Sequence, residues 1–162
     1  MIIHFICRGN AFRSIIAEAY LNSLDHTGLS VRSSGTVAAL HKAGNLAHYE
    51  KTLELLESRG IREFAKPGYG DQLSPERLAG TDVAICMNRR VYDDAVTLVS
   101  FPGTVQIWSV ADVGEPGRIS AVSAERDRFR QDALTEIMRD VDWLVASLPA
   151  AASSRDVRPA SR

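Results

Sequence analysis

A chain of 162 residues with a formal net charge of −1 has no overall basic field, which excludes a protein held to nucleic acid or to an anionic membrane by bulk electrostatics. With 45% hydrophobic and 24% charged residues it has the composition of one globular domain, and its longest apolar runs, such as Val83 to Met87, are too short to span a bilayer. Two cysteines cannot build a disulfide framework and the opening residues lack the pattern of a secretory signal, so the expectation is a cytoplasmic protein with a free thiol.

The opening segment, Met1 to Ile6, is apolar and largely β-branched, as a strand buried on both faces should be. Cys7-Arg8-Gly9-Asn10-Ala11-Phe12-Arg13-Ser14 follows and leads straight into a helix, in which Ile15, Ile16, Ala19, Tyr20 and Leu24 recur at a spacing of three to four. Leu29 to Ser33 reads as a second strand broken by Gly35. Tyr49 to Ser58 reads as a second helix, with Leu53, Leu55 and Leu56 inward and Gly60 as its stop. Residues 65–71 are too rich in Gly and Pro to be regular. Ser74-Pro75 has the chemistry of a helix start, with serine as cap and proline at the first helical position.

Asp82 to Met87 and Val105 to Val110 read as the third and fourth strands. Residues 122–148 contain a long terminal helix with Phe129, Ala133, Ile137, Val141, Leu144 and Val145 on one stripe. Strands alternating with helices predict an α/β fold, a single three-layer domain over residues 1–148 with a small four-stranded parallel sheet flanked by helices. Residues 149–162, rich in Ala, Ser and Arg, predict a disordered tail.

In a parallel sheet, ligands bind where strands end and the chain turns into a helix. The Cys7–Ser14 segment lies at such a turn. If its backbone curls so that successive N–H groups point inward, it forms a nest for an anion, backed by the positive end of the following helix. Gly9 and Asn10 are residue types that tolerate the left-handed φ values a nest requires. Cys7 at the mouth of this nest would be held as a thiolate, with Ser14 able to donate a hydroxyl to the sulfur. Arg13 brings a planar fork that matches two oxygens of a tetrahedral anion. An activated sulfur beneath a bound phosphate implies displacement at phosphorus through a phosphocysteine. The bland alternative, a buried Cys7 ending a strand, leaves Arg13 at a helix start, where a cation is disfavoured unless an anion is present.

A phosphate ester also needs its leaving oxygen protonated. Asp112, in the loop after the fourth strand, lies at the same sheet edge as Cys7. It could equally cap a turn before Gly114, and the residues alone leave the two roles open, with Glu115 in reserve should the loop be out of register.

The run Cys7-Arg8-Gly9-Asn10-Ala11-Phe12-Arg13-Ser14 with Ala17-Glu18-Ala19 resembles the signature loop of the low-molecular-weight protein tyrosine phosphatase family. Ser34-Gly35-Thr36, the Asp82–Met87 strand and Trp108-Ser109-Val110-Ala111-Asp112 resemble further family segments, over residues 1–148 in all. The resemblance implies that Cys7 attacks, Arg13 clamps, Ser14 supports the thiolate, Asn10 holds the loop, and Asp112 is the proton donor. Residues Arg8, Gly9, Asn10, Ala11, Phe12, Arg13 and Ser14 would bind the phosphate. The chain departs from the family at Phe12, where many members carry a second cysteine, and at Ile15 and Val113, which replace prolines. Val113, Gly114 and the region of Leu40 lack the aromatic residues that grip a phenyl ring in phosphotyrosine-directed members.

Among weaker signals, Cys86 reads as core, His4 as a semi-buried strand residue, and Arg89-Arg90 and Asp93-Asp94 as solvated. His26, His41 and His48 show no metal-ligand spacing, so neither metal nor cofactor is expected. Tyr69 is a candidate substrate contact. The expected partner is a phosphorylated protein or small molecule. The competing functions are an arsenate reductase, which would need an external thiol because Cys86 is the chain's other cysteine, and a phosphate-binding module without turnover.

Overall fold

The residues from Ile2 to Cys7 form strand β1 because five of them are buried in sequence, which only a central strand with both faces covered allows. The computed structural model describes residues 1–113 and 123–148, so the predicted tail and the Gly114–Glu115 stretch lie outside the described residues. After β1 come helix α1 (Arg13–Ser23), strand β2 (Ser30–Gly35), the one-turn helix α2 (Ala38–His41) and helix α3 (Leu46–Ser58). Helix α4 (Pro75–Leu78), strand β3 (Val83–Cys86), helix α5 (Arg89–Ala95), strand β4 (Thr104–Ile107) and helix α6 (Ser123–Ser147) complete the order. The four strands pair in parallel in the order β2-β1-β3-β4, which is the sheet expected from the alternation of elements.

Two cores separate the layers. Ile3, Phe5, Ile85 and Met87 point to one face, where Ile15, Ile16, Leu56, Leu134, Ile137 and Val141 from α1, α3 and α6 cover them. Ile6, Ala84 and Cys86 point to the other, under Leu73, Leu78, Val91 and Ala95. The predicted Ser74 cap forms, its hydroxyl accepting the Arg77 N–H with Pro75 at the helix start.

Two strands end elsewhere than expected, and both differences shape the site. Strand β2 runs on past Ser33 because Ser34 and Gly35 pair with Ile6 and Cys7, which seats the end of β2 against the turn after β1. Strand β4 stops at Ile107 rather than Val110. Trp108 leaves the sheet to pack on Phe5, with ring centroids 5.7 Å apart, and the chain then bends over the end of β1.

His4, expected to be half-buried, is enclosed at 1% exposure, with Nε2 2.8 Å from Ser34 Oγ. Burial, assisted by the charges of Arg32, Lys66 and Arg77, pulls its pKa down from 6.5 to about 4. Between those values the unfolded chain binds a proton that the native one refuses, so stability is full above pH 6.5 and falls as pH drops toward 4. The loss at this one group amounts to at most about 3 kcal/mol. Denaturant unfolding of His4→Leu should therefore vary less with pH across this window than that of the parent; parallel curves would refute the burial account.

Candidate active site

The carbonyl groups of the turn between β1 and α1 set its shape. Cys7 O accepts the Thr36 N–H at 3.0 Å, Arg8 O the Val37 N–H at 3.0 Å, and Asn10 O the Gly70 N–H at 2.9 Å. Gly9 O accepts from Asn45 Nδ2 at 3.3 Å, and Ala11 O from Thr52 Oγ1 at 2.7 Å. Every one of these donors lies outside the turn. A trans peptide holds its N–H opposite its C=O, and the chain has no cis bond among its described residues. Five outward carbonyls therefore turn the amides of Arg8 to Phe12 inward. The Asn10 N–H displays that pose, donating to Cys7 Sγ at 3.2 Å.

Asn10 adopts the left-handed conformation expected of it, with φ 48°. Gly9 does not, which corrects that part of the sequence reading. What requires glycine there is space, since a Cβ would stand 2.5 Å from Asn45 Nδ2. Gly35, at the end of β2, is required for a similar reason: a Cβ would overlap the Arg8 carbonyl oxygen and come within 2.8 Å of the Asn10 amide nitrogen.

Cys7 lies at the floor of the ring at 3% exposure, its sulfur 3.0 Å from Ser14 Oγ. Arg13 begins α1, which has no capping side chain and no acid in its first turn, so the positive end of the helix is open to the ring. The Arg13 side chain is 2% exposed and ties off two ways, with Nη1 donating to Val110 O at 2.9 Å and Nη2 meeting Asp112 Oδ2 at 2.7 Å. Asp112 is itself a quarter exposed. The bend of the chain after β4 brings both partners over the ring, so Cys7, Arg13 and Asp112 share one cleft of about 240 Å³.

Sequence reasoning missed part of the lining. Val37, His41, Asn45 and His48 line the cleft together with Arg8, Phe12 and Val113. The sequence pattern bears on His41 and His48 only as metal ligands, a role their spacing does not fit. His41, Asn45 and His48 come from a one-turn helix, a 3-10 turn and the start of α3, stretches too short to carry a periodic signal; Asn45 just ahead of a helix is the one local cue. Burial lowers the His48 pKa, with Arg130 and Arg126 adding to the effect and Asp112 opposing it, so its imidazole is neutral near pH 7. Tyr69 is not part of this lining and stacks on Tyr49 at 4.9 Å. Leu40 points to solvent at 79% exposure. Cys86 has no exposed surface, and burial pushes its thiol up to about 12. Arg89 is exposed and pairs with Asp93, as a solvated residue would. No described helix is long and apolar enough to cross a membrane.

Fold and cradle together define the class, a cysteine-dependent phosphatase. The profile of the low molecular weight phosphotyrosine protein phosphatases matches residues 2–115, and the chain belongs to that family. Solved structures share the fold at low identity. A low molecular weight phosphotyrosine phosphatase of Vibrio cholerae O395 is 20% identical with a TM-score of 0.68, over 91% of this chain and 95% of that one. Vibrio vulnificus Wzb, solved with benzylphosphonate, is 18% identical with a TM-score of 0.67, over 91% and 98%. A thioredoxin-dependent arsenate reductase of Corynebacterium glutamicum is 24% identical with a TM-score of 0.62 over 90% of this chain, which spans only 60% of that protein's length. No curated protein gives a significant match.

Gly35→Ala tests whether the contact between β2 and the ring shapes the cradle. The added methyl group should weaken vanadate binding by at least about tenfold and lower stability by about 1–3 kcal/mol. Unchanged vanadate affinity would mean that the ring does not depend on this contact.

Proposed function

We propose that the protein hydrolyses phosphate monoesters by covalent catalysis, with Cys7 as nucleophile, Arg13 as clamp and Asp112 as acid and base. The observation that carries this reading is the sulfur of Cys7 lying inside a ring whose carbonyls are all drawn outward. Such a ring offers amide donors to the three non-bridging oxygens of a phosphoryl group and excludes acceptors that would repel them. Arg8 to Ser14 are the phosphate-binding segment on this reading.

In the resting site Asp112 supplies the counter-charge for a buried Arg13. An arriving phosphate monoester monoanion takes over the guanidinium, whose fork suits two of its oxygens, and passes its proton to the released carboxylate, which then faces the leaving group as an acid. Cys7 Sγ then attacks phosphorus in line, the bond from phosphorus to the ester oxygen breaks, and that oxygen takes its proton from Asp112. In the second half, Asp112 removes a proton from water as the water attacks the phosphocysteine; phosphate leaves and the thiolate returns.

The leaving group meets two imidazoles, an asparagine and two valines, with Phe12 the one phenyl ring among the described residues lining the cleft. A wall of that kind offers hydrogen bonds and aliphatic contact without a Tyr or Trp side chain among its described residues. It supports a phosphorylated substrate whose leaving group need not be a phenol. The arsenate reductase reading keeps one supporting observation, the shared fold of the Corynebacterium enzyme. Cys86, buried with a thiol pKa of about 12, is unsuited to act as an internal reductant, so that chemistry would draw its electrons from an external thiol.

Purified protein should release p-nitrophenol from p-nitrophenyl phosphate. Cys7→Ser should abolish turnover, and Asp112→Ala should slow it by roughly 10²–10⁴. A paired assay with arsenate and a small thiol separates the readings. Arsenite formed faster than phosphate is released would favour the reductase, and oxyanion binding without either product would favour a module lacking turnover.

A further inference from the structure

We infer that Asn45 and His48 are specificity-determining residues and that the leaving group they select is a neutral polyol, which makes the substrate the phosphate ester of a sugar or sugar alcohol. This selectivity rests on the phosphatase reading and deepens it. Asn45 stands just before α3, and His48 and Thr52 follow at spacings of three and four, so the three share one face. The outer two are bonded to the ring: Asn45 Nδ2 donates to Gly9 O at 3.3 Å, and Thr52 Oγ1 to Ala11 O at 2.7 Å. His48 lies between them, is turned toward the same loop, and lines the cleft with Asp112.

The hydrogen-bonding capacity left open on this face is specific. A carbonyl only accepts, so the end of the Asn45 amide against Gly9 O is its NH₂, and the other end is an oxygen with no partner among the described residues. The His48 ring nitrogens likewise have no hydrogen-bond partner among the described residues, and a neutral imidazole offers one donor and one acceptor. The substrate must therefore bring a donor to Asn45 and either kind of group to His48. A hydroxyl both donates and accepts, and a polyol carries one on each successive carbon beyond the ester oxygen. A peptide splits donor and acceptor between separate atoms, and a phenyl ring offers neither.

A charged leaving group is the poorer complement in either sign. An anion would meet the Asn45 oxygen and the Asp112 carboxylate. A cation would meet the field of Arg130 and Arg126 from α6. Burial is the main cause that keeps His48 neutral, and the charges of those two arginines add to it against that of Asp112. Arg130 is itself paired with Asp127 at 3.0 Å. Val37 and Val113 in the same lining give aliphatic contact to the carbons between the hydroxyls.

Sorbitol phosphate and hexyl phosphate share an unbranched six-carbon chain and differ in their hydroxyls. Cys7→Ala protein binds esters without turning them over, so calorimetry on it reads recognition apart from leaving-group reactivity. It should give sorbitol phosphate a dissociation constant lower by at least about tenfold, the effect of one or two neutral hydrogen bonds. His48→Phe in that background keeps a flat ring without its nitrogens and should cut the preference to about threefold or less; His48→Gln should recover most of it. A purely structural role for His48 would weaken both esters alike, and an unchanged ratio in His48→Phe overturns the proposal. Equal binding of the two esters overturns it too, as does tighter binding of a phosphoserine tripeptide or of phosphoglycerate than of sorbitol phosphate. Should Cys7→Ala not fold, protection of Cys7 from iodoacetamide by the same esters in the unaltered protein decides in the same way. A preference for the polyol ester in a protein that hydrolyses no phosphate ester would sink the phosphatase reading and leave this selectivity standing. Hydrolysis of p-nitrophenyl phosphate with no preference between the two esters would do the reverse.

Discussion

The site depends on the outward pull on five consecutive carbonyls. A backbone cannot present a run of amides to one point unless the carbonyls between them are satisfied on the other side, because a buried unpaired carbonyl costs about as much as the lost bond. Here the satisfaction comes from four separate stretches of chain. The end of β2 supplies Thr36 and Val37, the turn before α3 supplies Asn45, α3 supplies Thr52, and the glycine-rich loop supplies Gly70. The loop is held open by its surroundings, and its own residues contribute mainly what they lack: a side chain at Gly9 and resistance to a left-handed φ at Asn10.

The same dependence explains the buried polar residues next to the core. Asn10, Ser14, Ser33 and Glu18 would each be costly to enclose alone. Hydrogen-bonded to one another, with Lys66 on Asn10, they satisfy each other's donors and acceptors. The pKa of Asp71 is lowered from its ordinary value for related reasons: its partial burial acts against the charge, but the bond from Lys66 and the charges of Lys66, Arg77 and Lys42 outweigh that. The apolar cores on the two faces of the sheet place these elements; the polar network orders the chemistry between them.

Arg13 and Asp112 pose the opposite problem. A guanidinium at 2% exposure needs a counter-charge, and in the resting cleft the carboxylate of Asp112 provides it. On the proposed reading a bound phosphoryl group replaces that carboxylate on the same fork, so the pairing with Arg13 also keeps the acid within reach of the leaving oxygen. The catalytic roles of the two residues on the proposed reading are linked through this exchange.

The order of the strands, the parallel sheet, the helices after Ser14, over 49–58 and at the C-terminal end, the capped start at Ser74 and the cluster of Cys7, Asn10, Arg13 and Ser14 were legible in the sequence, because each rests on local periodicity or on residue types within one short segment; the short helices α2 and α5 were not. Asp112 was legible only as one of two roles, since its meeting with Arg13 depends on β4 ending early and the chain folding back over β1. The cleft lining of His41, Asn45 and His48 and the partnership of Lys66 with Asn10 left no local trace. They join residues far apart in the chain through single turns and an irregular loop, where no repeating pattern records a neighbour. The residues of the strand-to-helix turn alone marked it as the place where, on the proposed reading, an anion binds; how its carbonyls are anchored, and what lines the cleft beside it, was decided only when distant segments packed around it.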